Sequence, residues 1–357
     1  MTPIRQFSTT GLAQPLVQAL MSVNGEMNRP EPPSIPEIFT LTEGRALELS
    51  RHRLYRSGLT IPFHRLRTAP PADPGAEEAM ARFSNSEYAR TLSRQDPSLV
   101  ISHQTAAETW GMWLPWRMQT TRIHLSRVRC RAGIPRYQGT VGHFIRPGAR
   151  DVRGVDGYRI TSPEWTWVDL ASQRLTVDEL VAAGDALLQR GDGFPRPATF
   201  IGTNPLATKD SILDVLGRRK GSPGIRKLRL AVDLLRERVD SEPESRLRLK
   251  MVEGGWDEPA VNPRIRFADG WECDVDLALL QWRISLQYEG KHHFTLEKQY
   301  RSDLNRDEQI RARGWEPIRV DSAVFTRQGW HAFGYRLTTA VERQQQQTSW
   351  VPFTAGT

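Results

Sequence analysis

Apolar and polar residues alternate in two runs between Cys273 and Val320. They are Cys273-Asp-Val-Asp-Leu-Ala-Leu and Arg283-Ile-Ser-Leu-Gln-Tyr-Glu-Gly-Lys-His-His, on either side of a short connection at Leu280 to Trp282. Period-two alternation predicts two facing strands, with successive side chains on opposite faces. Asp274 and Asp276 are expected to share one face. Gln287, Glu289 and Lys291 share another, with Ile284, Leu286 and Tyr288 behind them. The charged stretch Glu297 to Arg313, closed by Gly314, predicts a helix, and Trp315 to Val320 a strand. Strand, helix and strand in that order predict a parallel pair joined by a right-handed crossover. Upstream, Ser241 to Gly255 reads as a helix with Ser241 and Glu244 as a capping box, Pro243 in the first turn and Gly254-Gly255 at its end. Glu244 thus has a structural explanation that needs no chemistry. Pro263 to Phe267 predicts a short strand.

The earlier part of the chain is more helical. Thr42 to Leu49 and a second short helix capped by Ser50, carrying Arg51, His52, Arg53 and Arg56 and ended by Gly58, precede an extended stretch from Leu59 to Arg67. This spacing resembles a helix-turn-helix followed by a wing, and it equally fits a solvated basic helix. A polar helix is expected around Ala76 to Arg90, and a Ser102-capped helix with Ala106, Ala107 and Trp110 on its apolar side, closed by Gly111. Strands follow near Ile123 and Thr140, making a small α+β unit. Pro163 stands in the first turn of another helix. Val177 to Leu188, Asp210 to Leu216 and Leu230 to Arg238 read as further helices. The turn at Arg218-Arg-Lys-Gly-Ser-Pro-Gly is the densest positive cluster, suited to phosphate or to a wet surface. The reading divides the chain into a disordered lead (1–36, with Met21 or Met27 as alternative starts), a helix-turn-helix unit (37–100), an α+β middle (101–240), a C-terminal domain (241–342) and a flexible tail (343–357).

Composition narrows the partners. A net charge of +8, carried mostly by arginine, suits nucleic acid or another polyanion, because each neutralised phosphate releases condensed counterions. Only two cysteines are present, Cys130 and Cys273, with no Cys-x-x-Cys pair, which argues against a disulfide framework or structural zinc and for a reducing cytoplasm. No run approaches the roughly 18 apolar residues of a membrane span, and the N-terminus lacks the pattern of a signal peptide. His103, His124 and His143 are read as satisfied or exposed histidines, since no carboxylate accompanies them at useful spacing.

Five motifs in order carry a resemblance: Glu244-Ser-Arg-Leu-Arg-Leu, Val275-Asp-Leu-Ala, Gln287-Tyr-Glu-Gly-Lys-His-His, Asp303-Leu-Asn-Arg-Asp and Gly314-Trp-Glu-Pro-Ile-Arg-Val. Together, over residues 241–342, they resemble a bacterial domain related to very-short-patch repair endonucleases, within the PD-(D/E)xK nuclease superfamily. Ser102-His-Gln-Thr-Ala-Ala-Glu-Thr-Trp-Gly, Thr161-Ser-Pro and Gly184-Asp-Ala-Leu resemble the region that precedes this domain in many such proteins, a region similar to the abortive-infection type IV antitoxin proteins, which carry a winged-helix DNA-binding unit. The resemblance implies an α/β chain, α+β overall. It would have a C-terminal restriction-endonuclease-like αβββαβ core and an N-terminal winged helix with a small α+β unit.

It also implies a chemistry. Asp276 would ligate a metal, Glu289 and Lys291 would form the Glu-x-Lys pair, Glu244 would add a helical carboxylate, and His292 or His293 would act as acid or base. Hard carboxylate oxygens suit Mg²⁺ or Mn²⁺, which would polarise a scissile phosphate and activate water. A second register places Gln287 at the acidic position and Glu289 at the lysine position, and period-two geometry leaves both open. The expected activity is a metal-dependent endodeoxyribonuclease acting on DNA, with Arg51, Arg53, Arg56 and Arg306 as DNA contacts, a homodimer admitted, and no small-molecule cofactor. The alternatives are a non-catalytic antitoxin-type regulator, an interaction protein using the Trp-rich middle region without nucleic acid, and a hairpin whose polar face is merely wet.

Overall fold

The computed structural model describes residues 36–56, 59, 61, 66–69, 84–118, 122–128, 133–189, 203–290 and 297–346, with only the backbone at 56 and 297–304. The chain is mixed α/β and divides into two compact units, 1–74 and 75–357. The division falls at 74, not at the expected 100. Residues 84–101 pack into the larger unit, where one of their strands lies at the centre of a sheet.

In the first unit β1 (Ile38–Thr40) leads into α1 (Leu41–Ala46) and α2 (Arg51–Arg56), and β2 (Leu66–Thr68) returns antiparallel to β1. Thr40 and Glu43 close a capping box on α1, and Ser50 accepts the Arg53 N–H at the start of α2. Phe39, Leu49 and Leu54 form the core. Gly44 lets the two helices approach: a Cβ there would lie 2.6 Å from Leu54 Cδ2. Buried Arg67 donates to the Leu54 carbonyl at 2.6 Å, a cation set on the last turn of α2.

The second unit begins with α3 (Asn85–Gln95), β3 (Leu99–Ile101), α4 (His103–Thr109), β4 (Ile123–Val128), β5 (Thr140–Ile145), β6 (Val152–Val155) and β7 (Tyr158–Thr161). The five strands form one mixed sheet ordered β5-β4-β3-β7-β6, with β4/β5 and β3/β7 parallel. Next come α5 (Pro163–Leu170), α6 (Val177–Leu188), α7 (Lys209–Arg218) and α8 (Ile225–Leu234). Local rules set their ends: Ser162 caps α5 with Pro163 at its start, and Thr176 with Glu179 forms a capping box on α6.

α9 (Glu242–Glu253) then packs on α6, and β8 (Ala260–Val261), β9 (Arg264–Arg266), β10 (Glu272–Asp274), β11 (Leu277–Leu279) and β12 (Ile284–Glu289) follow. α10 (Glu297–Ala312), β13 (Glu316–Asp321) and α11 (Arg327–Gln346) complete the described chain. The main sheet is ordered β13-β12-β11-β8, with the expected parallel pair at β12/β13, while β9 and β10 pair separately as a ribbon. Leu277, Leu279, Ile284, Leu286, Ile318 and Val320 pack on Leu247 and Met251 of α9 and Phe333 and Leu337 of α11. Ile310 of α10 joins Ala278, Val275 and Trp315 in a second cluster. Among the described residues no helix is long and apolar enough to cross a membrane.

Candidate functional site

The expected face of acids is rearranged by one bend. The alternating run from Cys273 breaks after β10, so Asp274 stays on the ribbon, exposed and bidentate to Arg264 at 2.8–2.9 Å. Asp276 turns instead into the main sheet. The pairing Leu277↔Leu286 places it opposite Gln287, whose side-chain amide donates to Asp276 Oδ1, while the Tyr288 N–H donates to Oδ2 at 2.7 Å.

Glu244 comes to the same place from the first turn of α9. Its carboxylate accepts the Ser241 hydroxyl at 2.7 Å, the Asp240 N–H at 3.0 Å and the Asn262 amide at 3.3 Å. The expected capping box is therefore shifted by one residue, because Glu244 reaches back to the amide of Asp240 rather than that of Ser241. Asn262 in turn donates its N–H to the Asp276 carbonyl at 2.9 Å. Burial pushes Glu244 up to about 8, and the charge of Asp276 adds to it. Burial likewise pushes Asp276 up to about 6, against the pull of the Tyr288 N–H and the Arg306 charge. Asp240 acts on both carboxyls and is itself raised by burial. A sequence reading has no periodicity with which to find Asp240, which lies just before the helix cap.

The remaining expected residues divide. Glu289 lies two residues beyond Gln287, where Arg319 donates to it at 2.6 Å and links it to Asp307. Arg306 acts on Asp276 through its charge. Lys291, His292 and His293 lie outside the described residues, as does the Arg56 side chain. Arg51 and Arg53 are exposed on α2, in the other unit.

Each oxygen of the Asp276 and Glu244 carboxylates accepts at least one protein donor and keeps further acceptor capacity, and the Gln287 amide donates to Asp276. Among the described residues no three His, Cys, Asp or Glu side chains are placed to hold one ion.

A second cluster gathers the three histidines read as satisfied or exposed, and they are satisfied by Ser102 and by one another. Strand pairing in the five-stranded sheet brings His124 and His143 together, with His124 Nδ1 3.1 Å from His143 Nε2. His103 sits where β3 turns into α4, at φ +52°, and its ring stacks on His143 with centroids 3.7 Å apart. His103 Nδ1 lies 3.0 Å from Ser102 Oγ and 3.6 Å from Asp169 Oδ2. This is the carboxylate that spacing did not reveal. Asp169 Oδ1 accepts Arg219 at 2.7 Å, while buried Oδ2 has no hydrogen-bond partner. Burial pushes His103 down to about 3, and His124 and His143 to about 4, so all three are neutral at pH 7; burial raises Asp169 to about 6. Parallel stacking directs the lone pairs of His103 and His143 side by side, so they do not converge on an ion.

The chain is 27% identical over 190 residues to the uncharacterized protein Rv2248 of Mycobacterium tuberculosis H37Rv and, equally, to the uncharacterized protein MT2308 of strain CDC 1551. The match covers 52% of this chain and 64% of each relative, so the chain spans less than two thirds of their length. No family model and no solved structure matches it.

Proposed function

We propose that this chain is a DNA-binding regulator, with its DNA-reading element at residues 38–68 and a nuclease-like C-terminal fold that serves as a binding module rather than a hydrolase. The observation that carries DNA binding is the start of α2. Arg51, His52 and Arg53 are three successive exposed residues there, while Leu54 anchors the helix against α1 and Arg67 holds its far end. A recognition helix presents its N-terminal side chains to base edges in this way.

The order α9, β8, β11, β12, α10, β13 supports an αβββαβ nuclease-like core. Gln287, an uncharged amide beside Asp276, favours a regulator. A second reading, metal-dependent phosphodiester hydrolysis, is favoured by Asp240, Glu244 and Asp276, since buried acids that raise one another's pKa concentrate at working sites.

One experiment separates the readings. The full chain is titrated onto duplex DNA from its own promoter region at several salt concentrations, and incubated with supercoiled plasmid in Mg²⁺ or Mn²⁺ against EDTA. Salt-dependent binding that weakens about tenfold or more in Arg51→Ala/Arg53→Ala, with no nicking, is the expected result. Metal-dependent nicking abolished by Asp276→Ala would replace the regulator with the hydrolase. Affinity indifferent to Arg51 and Arg53 would remove the helix-turn-helix from the account.

A further inference from the structure

The main sheet ends on one side at β13, and among the described residues no strand pairs with its outer edge. The Glu316 N–H donates to the Arg283 carbonyl just before β12, so alternate residues from Glu316 face β12 while Pro317 and Arg319 face outward. Proline suits that position, where no neighbouring strand asks for its missing N–H. Arg336 of α11 donates to the outward Arg319 carbonyl at 3.1 Å. The Pro317 carbonyl and the Arg319 N–H are left, an acceptor and a donor two residues apart. A sheet edge receives an added strand through such a pair.

A groove of about 520 Å³ lies along this edge, between α10 on one face of the sheet and α11 on the other. Its walls are cationic. Arg311 enters from α10, and Arg336 and Arg343 from α11, all three exposed. Arg311 and Arg343 have no hydrogen-bond or ion-pair partner among the described residues, and Arg336 uses only Nη1, on the Arg319 carbonyl. Asp307 also lines the groove, but it is buried and bound to Arg319, which leaves Glu316 alone against the three arginines. The Tyr335 ring, 77% exposed, offers apolar surface beside them.

We propose that this groove takes an extended acidic segment of a partner protein, which adds to the outer edge of β13 while Arg311, Arg336 and Arg343 meet its carboxylates. The open edge and the surplus of arginines are independent observations, and both suit this ligand. A nucleic-acid strand would satisfy the arginines but has no peptide groups for the edge. A second copy of the chain would bring its own arginines against these, and like charges facing each other across paired strands repel. The proposal rests on the reading of the C-terminal fold as a binding module, names the chemistry of its partner, and makes no use of DNA recognition at α2.

The full chain, with Arg51 and Arg53 intact, is titrated onto a labelled peptide of alternating glutamate and valine and followed by fluorescence anisotropy. Saturable binding is expected that weakens with salt and falls about tenfold in Arg311→Ala/Arg343→Ala. Both side chains are exposed, and an unchanged melting curve shows that the fold is intact. A peptide with proline in place of valine keeps the charge but pairs poorly with a strand, and should bind about fivefold more weakly. Equal binding of these two peptides would overturn strand addition. Absence of saturable binding, indifference to the two arginines, or equal binding of a lysine–valine peptide would overturn the acidic ligand. A double variant that loses affinity for duplex DNA, in a chain that binds no peptide, would assign the groove to nucleic acid and overturn the proposal. Metal-dependent plasmid nicking, which would overturn the binding-module reading, is assayed separately, so the two failures are distinguishable.

Discussion

Titration at single residues opposes itself across the molecule. Glu244 is raised from 4.5 to about 8 and Asp276 from 3.8 to about 6. Between those limits the folded chain keeps protons that the unfolded chain has released, so their contribution to stability falls as pH rises through about 4 to 8. Asp169 and Asp185, each raised from 3.8 to about 6, act in the same direction. The histidines act oppositely. They are depressed from 6.5 to about 3–4, so the unfolded chain takes protons that the folded chain refuses, and stability is lost as pH falls below about 6.5. Glu244→Gln removes one carboxylate, so it should raise the melting temperature at pH 9 relative to the parent and change it little at pH 5. Thermal melts at both pH values check this. Equal destabilisation at both would mean that the hydrogen bonds from Ser241, Asp240 and Asn262 outweigh the charge. At this scale the acids Asp276 and Glu244 were singled out only by the resemblance of their motifs, since the strand alternation offered Asp274 equally and the helix start gave Glu244 a capping role. Asp240 and Asp169 were not, since nothing local distinguishes them from solvated carboxylates.

Between elements, a buried ion pair joins α6 to α9. Arg248 and Asp185 have side chains 1% and 0% exposed and meet at 3.2 Å; Asp185 also accepts the Ser245 hydroxyl and the Arg236 N–H. Arg248→Ala would leave Asp185 charged, buried and short of its cation, at a cost of about 3–5 kcal/mol. Urea unfolding measures it, and Arg248→Met with Asp185→Asn should recover part of the loss. A single-variant cost below about 1 kcal/mol would contradict the argument. Element ends were largely legible, because caps are local: Ser162 before Pro163 and Thr176 before Glu179 announce their helices in sequence. Strand partnership was less so. The alternation from Cys273 to Leu279 reads as one strand, yet its first half pairs with β9 and its second with β11's neighbours in the main sheet.

At the scale of the molecule, each unit has a core of its own. The larger contains the clusters around Leu247 and Leu286 and around Ile265 and Trp315, whereas the smaller rests on Phe39, Leu49 and Leu54. A fragment of residues 75–357 should therefore fold cooperatively, with a melting temperature close to that of the main transition of the full chain, and should lose the affinity that depends on Arg51 and Arg53. Calorimetry and DNA titration of the fragment check both. A fragment without a cooperative transition would show that the first unit is needed for the second to fold.

Sequence by itself determined the basic charge, the helix caps and the strand–helix–strand order that ends in a parallel pair. All of these depend on neighbours a few residues apart, where backbone geometry sets the spacing. Only the tertiary structure decided that Asp276 faces Gln287 rather than Glu289, that Asp274 stays with Arg264, and that three dispersed histidines stack beside Asp169. Those outcomes depend on strand register and on which distant surfaces are buried together, and a one-residue shift would exchange every facing side chain without altering the pattern along the chain.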